Sequence, residues 1–355
     1  MSSILKIFKC FILITSSDGK ETVLSHVNSI RYKNSFDSIG STCEIDCPLY
    51  VFVSMTDDPE KKIPQPIRSV FKQGDKISVS YEYEGQETIN IFNGYIYMFK
   101  DGQPSTMICE DERFNLRKGI LNKVWNKTVY LSEIVKYITS KTTLITNNTL
   151  GVSGDVKYDN FSIRNTSPLT ALEDIKNNLK IIIAIVQNQI IITYLSIGLK
   201  EKYLFASDTN VYEGTEIQQK EGTWSQFTIK VNRIDEKGKK EVFFLSNNIN
   251  KGQTVYETTD VLKGDGQFKQ LHTMRVSRKQ SEELAKNALL KYQIGEYQGK
   301  IVCSIYPNAE ILGLAEYKSK TYPNEDGIYF IKAKSITITP TEGAKQELEV
   351  GQVNL

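Results

Sequence analysis

Three consecutive acidic residues, Glu110, Asp111 and Glu112, stand in the segment "ICEDERFNLRKG" between an apolar pair and a short basic stretch. Carboxylates at this density could act as the general acid and base of a hydrolase, or could bind a divalent cation. Either role needs partner groups, such as a nucleophile or a histidine. The flanking residues supply none, so two interpretations remain open: a functional acidic cluster, or the polar end of a strand.

Other metal-ligating residues are scattered along the chain. The five cysteines are an odd number, unlike the disulfide framework of a small secreted domain. Cys43 and Cys47 would share one face of a strand, but their spacing differs from that of zinc knuckles, and we interpret them as small buried hydrophobes. His26 and His272 have no second ligand at metal-binding spacing. We therefore predict neither a metal nor a cofactor.

The sequence lacks the motifs of nucleophilic catalysis and of nucleotide binding. "GVSGD" at 151–155 lacks the final glycine of a nucleophile elbow, and Gly19-Lys20 has no phosphate-binding glycine loop before it. Asp57-Asp58 and Glu325-Asp326 lie among residues typical of turns. A glycosidase carboxylate pair is defined by its separation in space, so that alternative stays open. From the sequence we predict no catalytic residue.

Composition and charge limit the possible classes of protein. The 355 residues suffice for two or three domains, and 44 Lys plus Arg against 42 Asp plus Glu give a net charge of only +2. A dedicated nucleic-acid binder would show a basic stripe, which this sequence lacks. Lys6 and Lys9 interrupt the first apolar run, which predicts a strand turning at 17–19 and not a signal peptide. No stretch approaches the ~20 apolar residues of a membrane span.

Residues 1–119 have the pattern of a β-domain. Polar residues alternate with four apolar ones, which predicts a half-buried strand at Ile77, Val79, Tyr81 and Tyr83. A second strand runs through Gly94 to a turn at 100–103, and a third returns over 106–110. Gly94 has no side chain to pack, so we expect it to mark the bend that lets the sheet curl into a barrel.

Residues 120–205 mix helical and strand signals, which predicts a small α+β insert. Thr128 is predicted to cap a helix with apolar residues at Leu131, Ile134, Val135 and Ile138. Ser167-Pro168 opens a second helix, and Gln187-Asn188 joins two apolar runs into a hairpin.

Residues 206–355 return to β patterning and predict a second β domain. Strands are expected on either side of a turn at 235–238, then at 299–306 and 327–339, with a loop between the last two. The helix at 277–294 shows a capping box at Ser277 and Gln280, and Gly295 can end it. An apolar stripe marks its buried face at Leu284, Ala285, Ala288, Leu289 and Tyr292. Glu282 is predicted to pair with Lys286.

The order of these signals resembles the baseplate or tail hub proteins of tailed bacteriophages. That superfamily includes the late-control-D-type proteins and the hub half of type VI secretion spike proteins. "FNGYIYMF", "TMICEDERFNLRKG" and "VWNKTVYLSEIVKYI" resemble the family's first barrel and its following helix. The matching positions are Phe92, Gly94, Ile96, Glu110, Asp111, Leu116, Lys118, Trp125, Thr128 and Leu131. "SRKQSEELAKNALLKY", "YQGKIVCSIYP", "ILGLAEYKS" and "DGIYFIKAKSITITP" resemble the second barrel.

The resemblance implies a mechanical role. In the family, two similar barrels per chain let three subunits form a ring that joins a sixfold tail tube to a threefold central spike. It implies a homotrimer that contacts tube, spike and other baseplate proteins in a phage tail or contractile injection system, while DNA or tape-measure protein passes through the channel. It also implies a virion protein made in the bacterial host cytoplasm, with Glu110, Asp111 and Glu112 at a structural position.

Two other hypotheses remain. A distal tail protein or receptor-binding β module would need an aromatic platform for carbohydrate, whereas the 19 tyrosines and two tryptophans are spread along the chain. A wall-degrading tail enzyme would use the acids at 110–112. Residues 54–68 and 308–326 are loops that match no family segment.

Overall fold

The described part of the chain is mainly β. The computed structural model describes residues 8–24, 26–54, 62–83, 87–148, 155–158, 160–193, 201–212, 215–217, 228–235, 237–250, 253–260, 269–274, 277–296 and 299–352. Within these ranges lie 26 β-strands and five α-helices, so the prediction of a mainly β chain with helices is confirmed. None of the described helices is both long and apolar enough to cross a membrane.

The first elements end at the acidic segment and the short helix after it. In chain order they are β1 (Phe8–Thr15), β2 (Glu21–Leu24), β3 (Ser29–Ser35), β4 (Thr42–Cys47), β5 (Tyr50–Ser54), β6 (Lys62–Pro66), α1 (Ile67–Val70), β7 (Lys76–Tyr83), β8 (Ile89–Lys100), β9 (Ser105–Glu110) and α2 (Arg113–Leu116).

The middle of the chain holds short strands and two amphipathic helices. These elements are β10 (Leu121–Val124), β11 (Val129–Tyr130), α3 (Leu131–Ile138), β12 (Ile145–Asn148), β13 (Lys157–Tyr158), β14 (Ser162–Thr166), α4 (Pro168–Leu179), β15 (Ile182–Val186), β16 (Gln189–Thr193) and β17 (Lys202–Ala206).

The remaining elements include the longest helix and the two longest carboxyl-terminal strands. They are β18 (Glu216–Ile217), β19 (Thr228–Ile234), β20 (Lys240–Asn250), β21 (Gln253–Thr259), β22 (Lys269–Met274), α5 (Arg278–Glu296), β23 (Gly299–Ser304), β24 (Leu314–Lys318), β25 (Gly327–Thr339) and β26 (Gly343–Gln352).

Contacts between residues divide the chain into two compact units. The first comprises Met1–Asn34, Gly40–Phe114 and Ser335–Glu347, and the second comprises Ser35–Ile39, Asn115–Lys334 and Leu348–Leu355. Strands β25 and β26 therefore each contribute residues to both units. The boundaries of the three domains expected from the sequence stay a prediction.

The first unit is built on one antiparallel sheet with the strand order β3-β4-β9-β8-β7-β1-β2. In β7 the side chains of Ile77, Val79 and Tyr81 are all buried, because alternate residues of a strand point to the same face. The half-buried strand predicted at this position is confirmed. The predicted turns at 17–19 and 100–103 also join the strands as expected.

The second unit has a three-stranded sheet in which two strands, β15 and β16, are buried on both faces. Strands β12, β16 and β15 form this sheet, and Gln187 and Asn188 adopt the positive φ values of a tight hairpin turn, so the predicted hairpin is confirmed. Ile183 and Ile185 on β15 join a core with α3, α4, α5 and the sheet β21-β20-β19-β22. Ile182 and Ala184, on the opposite face, join a second core with residues 311–314 and Phe330.

Local capping explains where the helices of the second unit begin. The Ser167 hydroxyl accepts a hydrogen bond from Thr170 N at 3.1 Å, and Ser277 and Gln280 form the predicted reciprocal bonds at 3.1 and 3.3 Å. Both predicted helix starts are confirmed. α5 ends at Glu296, one residue beyond Gly295, and the Tyr292 side chain lies outside the described residues.

Three local predictions are wrong. Thr128 does not cap α3, because β11 intervenes and the Glu133 carboxylate instead accepts a bond from Tyr130 N at 3.3 Å. Lys286 pairs with Glu283 at 2.9 Å, while Glu282 pairs with Arg278. The predicted loop between the strands at 299–306 and 327–339 contains β24, which pairs with β17 and β25.

Candidate functional site

The three acids of the segment 110–112 lie at the corner where β9 ends and α2 begins, within the first unit. All are buried: Glu110, Asp111 and Glu112 are 4%, 8% and 7% exposed. A buried carboxylate needs hydrogen-bond donors to replace water, so the contacts of each group decide what it can do.

Asp111 binds Ser41, which is distant in sequence and immediately precedes β4. Its Oδ2 accepts hydrogen bonds from Ser41 N at 2.7 Å and Ser41 Oγ at 2.9 Å, and its Oδ1 accepts one from Arg113 N at 2.9 Å. Burial raises the pKa of this carboxyl to about 6, although the hydrogen bonds and Arg113 act in the opposite direction. A side chain at Gly40 would place its Cβ 2.5 Å from Asp111 Oδ1, so only glycine fits beside the carboxylate.

The other two acids also have internal partners. The Tyr95 hydroxyl donates to Glu112 Oε1 at 3.1 Å, and the Tyr95 ring stacks on Phe114 with centroids 5.2 Å apart. Arg113 Nε lies 3.8 Å from Glu110 Oε1. The corner therefore consists of carboxylates bonded to the protein itself, which favours the strand-end interpretation of the sequence.

Gly94 lies next to this corner for a steric reason. A Cβ at this position would lie 2.3 Å from the Glu110 carbonyl oxygen, so β8 and β9 approach too closely for any other residue. Register shifts occur in β7 between Val79 and Ser80 and in β8 between Ile96 and Met98. Gly94 itself pairs in regular register with Ile77, between these two irregularities. The bend at Gly94 and the closure of the sheet into a barrel stay predictions.

Cys43 and Cys47 are small buried groups, as expected from the sequence, and Cys109 and Cys303 are buried as well. Both lie on the inner face of β4, and Cys43 is directly opposite Cys109 on β9. Burial raises the pKa of the Cys47 thiol to about 12 and raises the pKa values of Cys43 and Cys109 as well. Over the described ranges, no group of three or more His, Cys, Asp or Glu residues could hold a metal ion.

The remaining sequence candidates are dispersed. Asp57-Asp58 and most of "GVSGD" lie outside the described residues. Asp326 accepts a hydrogen bond from Ser319 N at 2.7 Å and thereby closes its own loop. His272 lies on β22, in the second unit, and His26 lies between β2 and β3, in the first.

An exposed apolar surface on the β5–β6 hairpin was not predicted from the sequence. Tyr50 and Phe52 are 56% and 70% exposed, and their cross-strand partners are Pro66 and Pro64, which are also exposed. We call these four residues the aromatic-proline face. A signal existed in "PLYVFVS", where aromatic residues alternate with valines, but alternation alone does not say which face is covered.

The hydrogen-bond pattern of this hairpin limits how another protein could approach it. Ile67 N donates to Leu49 O at 2.9 Å. Backbone groups alternate in direction along a strand, so those of Ile67, Gln65 and Ile63 point towards β5. Pro64 and Pro66 therefore occupy the outward positions of β6. Because proline has no N–H, strand addition at this edge is disfavoured, and a partner would contact the side-chain face.

An aromatic cluster lies on the second unit and bears on the carbohydrate-binding hypothesis. Trp125 contacts Tyr137 edge-on at 5.4 Å and Phe161 at 5.8 Å, while Tyr158 lies 4.9 Å from Phe161. The Lys123 ammonium covers the rings of Trp125 and Tyr137 at 5.4 and 4.7 Å. Tilted, covered rings of this kind resemble core packing and lack the flat open surface that stacks on a sugar.

Comparison with known proteins gives a likeness of fold. No family model and no curated protein matches the chain. Among solved structures, the 43 kDa tail protein of prophage MuSo2 from Shewanella oneidensis is similar with a TM-score of 0.60 and 14% identity, over 98% of this chain and 99% of that one. A tail protein from Neisseria meningitidis MC58 is similar with a TM-score of 0.58 and 11% identity, over 97% and 96%.

A third solved structure extends the likeness to secretion machinery. The E. coli c3393 protein, described as a type VI secretion component with structural similarity to the T4 tail proteins gp27 and gp5, matches with a TM-score of 0.54 and 8% identity, over 99% of this chain and 75% of that chain. The resemblance to tail and hub proteins inferred from the sequence is therefore confirmed at the level of the fold.

Proposed function

We propose that the chain is a structural tail or baseplate hub protein and has no enzymatic activity. Three copies would form a ring that joins a sixfold tail tube to a threefold central spike. The observation that supports this best is the similarity in fold over nearly the full length of a prophage tail protein, 98% of this chain and 99% of that one. The proposed architecture is two similar β-barrel hub domains, 1–119 and 206–355, with an α+β insert at 120–205.

A ring of like subunits needs self-contacts that are apolar enough to persist. The aromatic-proline face offers one such surface, because Phe52 and Tyr50 are large and mostly exposed. Aromatic residues in the centre of an interface supply much of its binding energy. We assign this face to the contact with the neighbouring copy of the chain in the proposed ring.

The near-neutral net charge of the chain is compatible with a channel through which DNA passes. A net charge of +2 over 355 residues provides little electrostatic retention for DNA, which binds proteins mainly through cationic contacts to phosphate. DNA or tape-measure protein would pass through without being held. The proposed partners are the tail tube protein, the central spike protein and other baseplate proteins, and the proposed location is the virion tail, after synthesis in the host cytoplasm.

The geometry of the acidic corner does not favour the rival enzyme. All three carboxylates are buried and bonded to the protein itself, whereas a hydrolase needs at least one that reaches substrate or water. The receptor-binding alternative is likewise weakened by the covered aromatic cluster at Trp125.

The decisive experiment is the mass of the purified chain in solution by multi-angle light scattering. The measurement is made on the chain alone and mixed with the products of the neighbouring reading frames, among which the tube and spike proteins are sought. A trimer, alone or with the spike protein, supports the hub proposal. A chain that remains a monomer at high concentration and binds neither partner would contradict it.

A further inference from the structure

Among the described residues, β24 is the one strand that pairs with β17, in the second unit. On that side Glu201 O accepts a bond from Leu314 N at 2.9 Å, and Ser207 N donates to Lys318 O at 3.0 Å. Since alternate residues of a strand point their backbone groups to opposite sides, the carbonyl of Leu204 and the N–H of Ala206 point away from β24. Exposed backbone groups of this kind can pair with another chain.

The side-chain amide of Asn210 binds both of these outward groups. Ala206 N donates to Asn210 Oδ1 at 2.9 Å, and Asn210 Nδ2 donates to Leu204 O at 3.1 Å. The amide of Asn210 thus bonds to the two backbone groups on either side of Phe205. In a parallel sheet, the backbone N–H and C=O of a residue on a neighbouring strand would bond to the same two groups. Asn210 Nδ2 also lies 3.4 Å from Tyr306 O.

The main chain of Asn210 and the two residues after it pair with strand β23. Ser304 N donates to Asn210 O at 2.8 Å, Val211 forms an antiparallel bridge with Cys303, and Tyr212 N donates to Val302 O at 2.7 Å. Segment 210–212 is therefore paired with β23. A single residue bonds to β23 through its backbone and to β17 through its side chain.

We propose that Asn210 closes the strands β17, β24, β25, β26 and β23 into a barrel, with its amide in place of a strand pairing. This barrel would begin at β17 (Lys202–Ala206), four residues before the boundary at 206 proposed from the sequence. The strand order supports this, because β24 joins β17 to β25, and β26 joins β25 to β23. The strands also enclose one common core, whose buried members include Phe205, Ile301, Cys303, Ala315, Tyr317, Tyr329, Ile331, Leu348 and Val350. Asn210 is a positioning residue, and the inference holds whether or not the chain is a hub.

Only a side chain that can both donate and accept a hydrogen bond can bind the Leu204 carbonyl and the Ala206 N–H together. Alanine at position 210 would leave the Leu204 carbonyl and the Ala206 N–H without these bonds. The free edge would then be available to a strand of another copy, which is the usual hazard of an unprotected sheet edge.

Amide hydrogen exchange of the full-length protein tests the inference, read by mass spectrometry with single-residue resolution over 202–212. In the unmodified protein we expect Ala206 to be protected to a similar degree as Ser207, whose N–H faces β24. In Asn210→Ala we expect exchange at Ala206 to become about five- to tenfold faster, the loss of roughly one hydrogen bond, with Ser207 little changed. Asp208→Asn, on the same turn and exposed, is the matched control and should leave both rates unchanged.

Two results would overturn the inference. One is exchange at Ala206 in the unmodified protein at the rate of a fully exposed amide while Ser207 is protected, which decides the matter even if Asn210→Ala fails to fold. The other is equal exchange at Ala206 in the unmodified protein and in folded Asn210→Ala.

Discussion

The ammonium group of Lys176 on α4 donates a 2.7 Å hydrogen bond to the main-chain carbonyl of Phe36, 140 residues earlier in the sequence. Lys176 is only 4% exposed, and the Phe36 ring packs edge-on against Phe330 at 5.9 Å. All three residues belong to the second unit. The contact holds the short segment Ser35–Ile39 against a helix that is distant in sequence.

We therefore expect Lys176→Met to destabilise the protein by about 2 kcal/mol. Methionine retains most of the apolar length but removes the donor to a buried carbonyl. Urea denaturation followed by circular dichroism measures the change. Lys136→Met, at an exposed position of α3, is the control and should change the free energy of unfolding by less than about 0.5 kcal/mol. Equal stability of the two variants would contradict the assigned role of the Lys176 bond.

The second prediction concerns the contribution of Asp111 to the pH dependence of stability. Its pKa in the folded protein, about 6, lies above the ordinary aspartate value of 3.8, so folding favours the protonated form. The contribution of this group to stability is present below pH 4 and is lost as pH rises through 6, a fall of up to about 3 kcal/mol. Unfolding free energies measured from pH 4 to 7.5 should show this slope in the unmodified protein. Asp111→Asn cannot titrate at this position, and an identical slope in that variant would contradict the assignment.

Gly94→Ala is expected to destabilise the first unit by about 3 kcal/mol. The new methyl carbon would lie 2.3 Å from the Glu110 carbonyl oxygen, and because that atom belongs to the backbone, two paired strands must separate. Thermal unfolding measures the loss. Asn93→Ala, next to it but exposed, should be nearly neutral, and a Gly94→Ala variant as stable as Asn93→Ala would show that the strands can shift freely.

Phe52→Ser tests the aromatic-proline face. The Phe52 side chain is 70% exposed in the isolated chain, so we expect unfolding stability within about 0.5 kcal/mol of the unmodified protein. Association with the tail subunit that covers this face should weaken by about thirtyfold, as for a buried aromatic anchor worth roughly 2 kcal/mol. Sedimentation velocity across a concentration series measures both self-association and complex formation.

Val23→Ser is the matched control for that experiment, since Val23 is 61% exposed on the edge strand β2. If Phe52→Ser and Val23→Ser assemble equally well with copies and partners, the aromatic-proline face is not an interface. That result would leave the hub proposal itself to be decided by the mass of the unmodified complex.

Local patterns predicted most of the strands and helices that were named from the sequence. The alternation at Ile77, Val79 and Tyr81 and the capping signals at Ser167 and Ser277 depend on neighbours in the sequence, and each is found in the structure. Thr128 is not the helix cap, because the short strand β11 lies between it and the start of α3 and pairs with β13. A tertiary contact, not a local propensity, decided where that helix begins.

The role of the acidic corner could be predicted only in part. Its place at the end of a strand follows from the sequence, but Ser41, the partner of Asp111, lies 70 residues away. Likewise no local signal pairs Lys176 with Phe36, 140 residues away. Such contacts depend on how distant strands are arranged, which composition and periodicity do not determine.

The sheet of β12, β16 and β15 has a further consequence for protein engineering. Neighbouring residues of β15, such as Ile182 and Ile183, enter different cores, so removal of this segment would open both at once. Residues 120–205 therefore cannot be excised, exchanged for a homologous piece or produced alone without exposing isoleucines to water on the surfaces left behind. A chimaera that keeps its native packing must transfer residues 311–314 and helix α5 together with that segment.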